Sequence, residues 1–253
     1  MTYADAYSAD RSLKGKIRRR VVRLAHRRPM GVDPGRPMVS FTFDDAPATA
    51  AIVGAHALES RGVRGTYYVA AGLAGALEPM GVCAEAADYQ RLNAAGHEIA
   101  CHTYSHLDCG QATGARASAD VDANAETLRA WGAPAPVTFA YPYGDVGFGP
   151  KQALGGRFKL LRALHHGVMV KGSDLNQAPA VGIEGPGGEA LARRWISIAH
   201  QRRAWLILYT HDVREDPSPW GCTPEALGRL IDAALAEGFE VTPVAEAARK
   251  LAL

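Results

Sequence analysis

Two adjacent carboxylates, Asp44 and Asp45, close an apolar stretch that reads Val39-Ser-Phe-Thr-Phe-Asp-Asp45. Further along, Gly96-His-Glu-Ile-Ala-Cys-His-Thr-Tyr-Ser-His106 sets His102 and His106 four residues apart. Side chains at i and i+4 of a helical turn face the same way, so the spacing predicts two imidazoles that grip one ion. Two neutral histidines and one carboxylate suit Zn²⁺ and leave an open position for water. The other carboxylate is then available as a base.

Two later stretches add to this set. Phe139-Ala-Tyr-Pro-Tyr-Gly-Asp145 is a Pro-Gly turn after a strand. Its N–H at Tyr143 offers an oxyanion donor, and its tyrosine rings offer a wall on which a sugar stacks. Leu206-Ile-Leu-Tyr-Thr-His-Asp212 ends an apolar strand on His211, an acid for a departing amine, with Asp212 or another carboxylate to orient it. Each motif alone also reads as plain structure: a turn, a helix N-cap, a capped core histidine. Together they share one position, since Asp44-Asp45, His102, Tyr143 and His211 each follow the C-terminal end of a predicted strand. Active sites of β/α barrels gather at that edge.

The elements that carry them alternate. Strands are predicted at Met38–Phe43, Gly65–Ala71, His97–Cys101, Val137–Tyr141, Arg157–Ala163, Ala204–Thr210 and Phe239–Pro243. Helices are predicted at Ala48–Arg61, before Gly96, at Ala115–Trp131, Glu189–Arg203 and Thr223–Glu237, and at the C-terminus. The Gly-rich segment His165–Gly188 reads as a long functional loop holding a short strand. Repeated strand-then-helix units argue for a parallel sheet, open or closed into a barrel. No internal repeat or long low-complexity linker interrupts them, which favours a single domain.

With 253 residues, 47% hydrophobic and 21% charged, the composition is that of an ordinary globule able to bury a substantial core. A net charge of +2 argues against nucleic-acid binding by the whole molecule. Four cysteines (Cys83, Cys101, Cys109, Cys222) do not make a disulfide framework and read as small buried hydrophobes, although Cys101 and Cys109 flank the histidine pair. No signal-peptide pattern and no membrane-spanning run is seen, which points to the cytoplasm.

Thr42-Phe-Asp-Asp45, His102-Thr-Tyr-Ser-His106, Tyr141-Pro-Tyr-Gly144 and Tyr209-Thr-His211 resemble, in order, the motifs of the polysaccharide deacetylase family with its NodB-homology domain. The resemblance runs from about Val39 to Pro243. It implies a distorted, incomplete (β/α) barrel of about seven parallel strands and metal-dependent removal of an acyl group from a sugar. By position, Asp44 resembles the family's catalytic base, and Asp45, His102 and His106 its metal ligands. Tyr143 matches the oxyanion N–H and His211 the general acid. Tyr141, Pro142 and Tyr143, with Asp174 and His166 from the Gly-rich segment, are the expected substrate-binding residues. Two departures stand out. The family often carries Arg two residues before the Pro of the third motif, paired with the base, and here that position is Ala140. Arg162 or Lys171 could replace it. The usual Asp-x-x-Asp-Trp segment is also absent, and Asp174 in Ser173-Asp-Leu-Asn176 is the expected partner of His211.

The expected reaction is hydrolysis of an N-acetyl group on an amino sugar of a polysaccharide, oligosaccharide or lipid-linked glycan. A deformylase or amidase acting on a related small substrate, and a silent glycan-binding module, are the competing readings. The donor set suits Zn²⁺ best and also admits Co²⁺, Ni²⁺ or Fe²⁺.

The domain is expected over residues 38–253, preceded by a basic arm over residues 1–37. Residues 11–28 hold nine Lys/Arg and no acid, with Leu13, Ile17, Val21 and Leu24 spaced as on one helical face. Two readings stand open: an amphipathic helix lying on an anionic membrane surface at the inner face, or a helix packed on the barrel with its charges in solvent. No aromatic platform accompanies the charges, so a nucleic-acid arm is not expected. The sequence leaves the oligomeric state undetermined.

Overall fold

A computed structural model describes residues 13–253, and the first part of the basic arm lies outside the described residues. The chain runs α1 (Leu13–Leu24), β1 (Met38–Asp44), a π-helical turn (Ala50–Gly54) continuing into α2 (Ala55–Glu59), and β2 (Thr66–Val69). A hairpin of β3 (Leu77–Glu78) and β4 (Gly81–Val82) precedes α3 (Ala86–Ala94), β5 (Glu98–Cys101), α4 (Gly114–Ala130), β6 (Thr138–Ala140) and α5 (Phe148–Leu154). The chain closes with β7 (Leu160–Arg162), β8 (Val181–Gly182), α6 (Gly188–Arg202), β9 (Trp205–Thr210), α7 (Pro224–Ala236), β10 (Glu240–Val241) and α8 (Val244–Lys250).

Seven strands pair in the order β7-β6-β5-β2-β1-β9-β8, and β10 adds to the start of β1. Every ladder of this sheet is parallel. β7 and β8, the two ends of this order, do not pair, and a single bridge of Arg162 with Ala178, just before β8, spans the gap, so the sheet curls into an open half-barrel. This is the incomplete barrel that the sequence resemblance implies.

Period-2 alternation sorts the strand side chains. Phe41, Phe43, Tyr67, Val69, Ile99, Leu206 and Leu208 face out and join the helices in the main apolar core. Thr42, Asp44, Tyr68, Ala100, Thr138, Ala140 and Arg162 have the opposite parity and face in. Tyr68, Ala100 and Ala140 pack there as a small separate cluster. Two alanines on this inner face leave room for larger polar side chains.

The N-terminal arm is stitched to the barrel. Val22 packs with Cys109, Phe139, Tyr141 and Leu154. Arg28 and Met30 exchange backbone hydrogen bonds with residues 172–175, including Met30 N to Ser173 O at 2.7 Å. The apolar stripe expected on α1 is not the side that packs, because Ile17, Val21 and Leu24 are exposed. All four cysteines are free and buried, and burial pushes the Cys101 thiol up to about 11. No helix among the described residues is long and apolar enough to cross a membrane.

Candidate active site

At the end of β1 the alternation that turns Asp44 inward would turn Asp45 away. Backbone geometry overrides it: Asp45 (φ +55°) and Ala46 (φ +42°) are both left-handed. Such positions cost about 1–3 kcal/mol each for residues other than glycine and cluster where function requires them. Both carboxylates are consequently buried side by side at the strand end.

His102 follows β5 with inward parity, and its Nδ1 lies 2.8 Å from the Ala140 carbonyl. A carbonyl only accepts, so Nδ1 carries the proton and Nε2 presents a lone pair. Burial pushes His102 down to about 4 despite the nearby Asp45 and Asp44 charges, which leaves the ring neutral, as a ligand must be. His106 arrives differently from the expected helical turn. Residues 102–106 form an irregular bend in which Thr103 (φ +61°) and His106 (φ +54°) are left-handed. Asp120 of α4 holds that bend, accepting hydrogen bonds from Tyr104 N at 2.7 Å, Ser105 N at 2.9 Å and Ser105 Oγ at 2.8 Å.

The ligating atoms of Asp45, His102 and His106 all lie within 4.8 Å of one another. Asp45 Oδ1 stands 3.5 Å from His102 Nε2 and 3.2 Å from His106 Nε2. That buried oxygen has no hydrogen-bond partner, an arrangement that a cation would complete. The residues therefore fit a divalent metal. Asp120→Ala is expected to free the His106 bend and weaken Zn²⁺ or Co²⁺ binding about 10–100-fold. Isothermal titration of the metal measures this, and an unchanged affinity would mean that the bend is held without Asp120.

The partner of Asp44 is Arg162. Its Nη2 forms a close ion pair with Asp44 Oδ1, both side chains being buried. Arg162 is the cross-strand neighbour of Ala140 in the β6–β7 register, so it enters the barrel beside the position where the family's arginine is absent. Its guanidinium lies 5.0 Å from the Tyr68 ring centre and 5.3 Å from that of Tyr209, which compensates two buried nitrogens lacking hydrogen bonds. Burial alone would raise the Asp44 carboxyl, but Arg162, followed by His102 and His211, outweighs it and holds the group below its usual value. Lys171 is exposed and takes no part.

His211 follows β9 and is partly buried, with Nε2 3.9 Å from Asp45 Oδ2 and Nδ1 3.1 Å from Glu184 Oε1. Glu184 is steadied by the Tyr209 hydroxyl, which donates to Oε2 at 3.1 Å. Burial lowers His211, yet Glu184, with Asp45 and Asp44, overcompensates and pushes it up to about 9. The expected partner, Asp174, is elsewhere: it neutralises the buried Lys151 at 2.7 Å and accepts from Arg28 N at 2.9 Å. Asp212 binds Ser218 and Arg214 instead.

The third motif contributes less surface than expected. Tyr141 is wholly buried, its hydroxyl donating to Asn176 O at 3.1 Å, and Pro142 is buried too, so neither presents a face to a sugar. Tyr143, left-handed at φ +59°, is 40% exposed, and its ring meets His106 edge-on at 4.4 Å. Gly144 allows the turn to close, because a Cβ there would lie 2.2 Å from Leu164. His166 is exposed and packs against Trp195, not in the site. Asp44, Asp45, His102, His106, Glu184 and His211 line one cavity of about 460 Å³, walled on one side by the hairpin residues Glu78 to Met80. A larger cavity of about 630 Å³ lies at the opposite end of the strands, near Glu98 and Pro243, away from these groups.

Residues 31–153 match the polysaccharide deacetylase family model, which spans the strand-end carboxylates, both histidines and Tyr143. This half of the chain is similar to the polysaccharide deacetylase family. The fold also matches solved structures. The chitin deacetylase of the fungal pathogen Colletotrichum lindemuthianum shares 20% identity, with a TM-score of 0.63 over 87% of this chain and 91% of that one. The Xyl-CE4 domain of a multidomain xylanase from the hindgut metagenome of Trinervitermes trinervoides shares 16%, with a TM-score of 0.61 over 86% and 92%. A family 4 acetyl xylan esterase from Clostridium thermocellum, in complex with a cobalt ion, shares 20%, with a TM-score of 0.57 over 83% and 89%. Among curated proteins none gives a significant match. Arg162, Glu184 and Asp120 line or support this site and are residues that motif reading misses or leaves undecided. The only sequence signal for Arg162 was a cation in a neighbouring predicted strand, and Glu184 and Asp120 had none.

Proposed function

We propose that the protein is a metal-dependent hydrolase that removes an N-acetyl group from an amino sugar of a polysaccharide, oligosaccharide or lipid-linked glycan. One observation carries this reading: a three-residue metal set, a paired carboxylate and a paired histidine line the same cavity. Asp45, His102 and His106 would hold a divalent cation such as Zn²⁺, which would supply Lewis acidity toward the acyl carbonyl and acidify the attacking water. Asp44, kept ionised by Arg162, accepts the proton of that water. His211, whose Nε2 lies 3.9 Å from Asp45 Oδ2, holds a proton for the departing amine. An amine leaves poorly without protonation, so a histidine held cationic suits an amide substrate. Tyr143 lines the same cavity, which supports its turn N–H as the oxyanion donor and its exposed ring as the stacking surface for a sugar.

A silent glycan-binding module drew its support from the missing arginine at position 140, and the Arg162–Asp44 ion pair removes that support. The deciding experiment supplies Zn²⁺ or Co²⁺ and measures acetate release from a panel of free and lipid-linked N-acetylated sugars. Acetate that disappears with a chelator and returns with metal is the expected result. Formate instead of acetate, or no product from any substrate by the fully metallated protein, would overturn the reading.

Glu184→Gln is expected to lower kcat/KM about tenfold or more and to move its alkaline limb to lower pH. The sign follows from His211, raised above its ordinary value with Glu184 beside it: without that carboxylate the acid form is lost earlier as pH rises. An unshifted limb would leave Glu184 a merely structural role.

A further inference from the structure

We infer that the outer face of α1 is a docking surface for an anionic lipid bilayer. On this helix Arg18 reaches inward to Gly110 O and Asp145, and Val22 is buried in the apolar cluster beside α5. An adjacent, outward face carries Ile17 (53% exposed), Val21 (46%) and Leu24 (75%), spaced at i, i+4 and i+7. A periodic apolar stripe turned away from the core does nothing for the stability of the barrel and marks an interaction surface. Arg20 and Arg23 are exposed beside it on the same helix, and residues 11–28 contain no acid to offset them. Leu, Val and Ile bordered by arginines match an interfacial helix, in which the stripe enters the headgroup boundary and the cations meet lipid phosphates. A soluble protein partner is the weaker match, because the stripe is narrow and convex and its flanks carry a single sign of charge. The helix is also fixed near the chemistry. Asp145 lies two residues beyond Tyr143, and Gly110 lies on the loop that leaves His106. The docking concerns binding alone, so it stands or falls independently of the deacetylation reading.

The test is co-sedimentation of the full chain with vesicles of phosphatidylcholine alone or mixed with phosphatidylglycerol. Wild type is expected to bind the anionic vesicles, with affinity falling as salt rises. Ile17→Asp/Leu24→Asp and Arg20→Glu/Arg23→Glu are each expected to bind about tenfold or more weakly. All four positions are exposed, and circular dichroism confirms that the variants keep the fold. No binding by wild type at low salt would overturn the inference, as would full binding by the Ile17/Leu24 variant, which would reduce the contact to charge alone. A concentration-dependent dimer in analytical ultracentrifugation, dissolved by the same Ile17/Leu24 change, would also overturn it by assigning the stripe to a second copy of the chain.

Discussion

Asp44→Asn is expected to release acetate about a thousandfold more slowly than wild type while metal content is unchanged. Asparagine keeps the shape of the side chain and an oxygen for Arg162, but it cannot accept a proton, and general-base catalysis supplies about 10²–10⁴-fold in rate. Asp45, His102 and His106 form their ligand set without Asp44, so metal stoichiometry separates the base from a ligand. Acetate release together with metal analysis on the same preparation measures both. A variant that loses metal would place Asp44 in the ligand set, and one that keeps near-normal turnover would remove it from the reaction.

Arg162→Ala is expected to cost about a hundredfold in kcat/KM and about 3–5 kcal/mol in stability, since it strands a buried carboxylate without its cation. In the wild-type fold the Asp44 carboxyl is held below its ordinary value. Its contribution is therefore present above the unfolded carboxylate value of about 3.9 and is lost as pH falls through the lower folded one. Without Arg162, burial is the largest remaining influence and acts in the opposite direction. The destabilisation is then greatest near neutral pH and shrinks as acid protonates Asp44. Thermal melts across pH read this directly. The decisive control is Ala140→Arg in the Arg162→Ala background. Residues 140 and 162 are cross-strand partners, so an arginine at either position enters the barrel from the same side. Recovery of activity by the double variant would show that the barrel needs a cation at Asp44 irrespective of the strand that delivers it. Full activity in Arg162→Ala would reduce Arg162 to a packing residue.

Much of the barrel was legible because its signals are local. Apolar strands of period 2, glycine and proline punctuation and helical runs follow from a few neighbouring residues, and the motifs at Asp44-Asp45, His102, Tyr143 and His211 each sit directly after such a strand. Even the divided reading of Ala140 was local, for it named a missing cation and pointed to Arg162 or Lys171. The expected helical turn at His102–His106 failed for an equally local reason: spacing of four suits a helix, but a bend with two left-handed residues brings the same side chains together.

What tertiary structure decided lies in contacts between residues far apart in the chain. Arg162 and Asp44 are 118 positions apart and meet only because strand order places β7 across the open barrel from β1. Glu184 reaches His211 because β8 pairs with β9, while Asp174, the acid that the sequence favoured, is claimed by a buried lysine that needs a counter-charge. Burial likewise removed Tyr141 and Pro142 from the substrate surface and left Tyr143 on it. Local sequence thus determined the strands, their inward and outward faces and the motif residues at their ends, because periodicity and turn chemistry act over a few residues. Only the curled sheet decided which charges pair, since register and burial depend on strand order, to which sequence distance is blind.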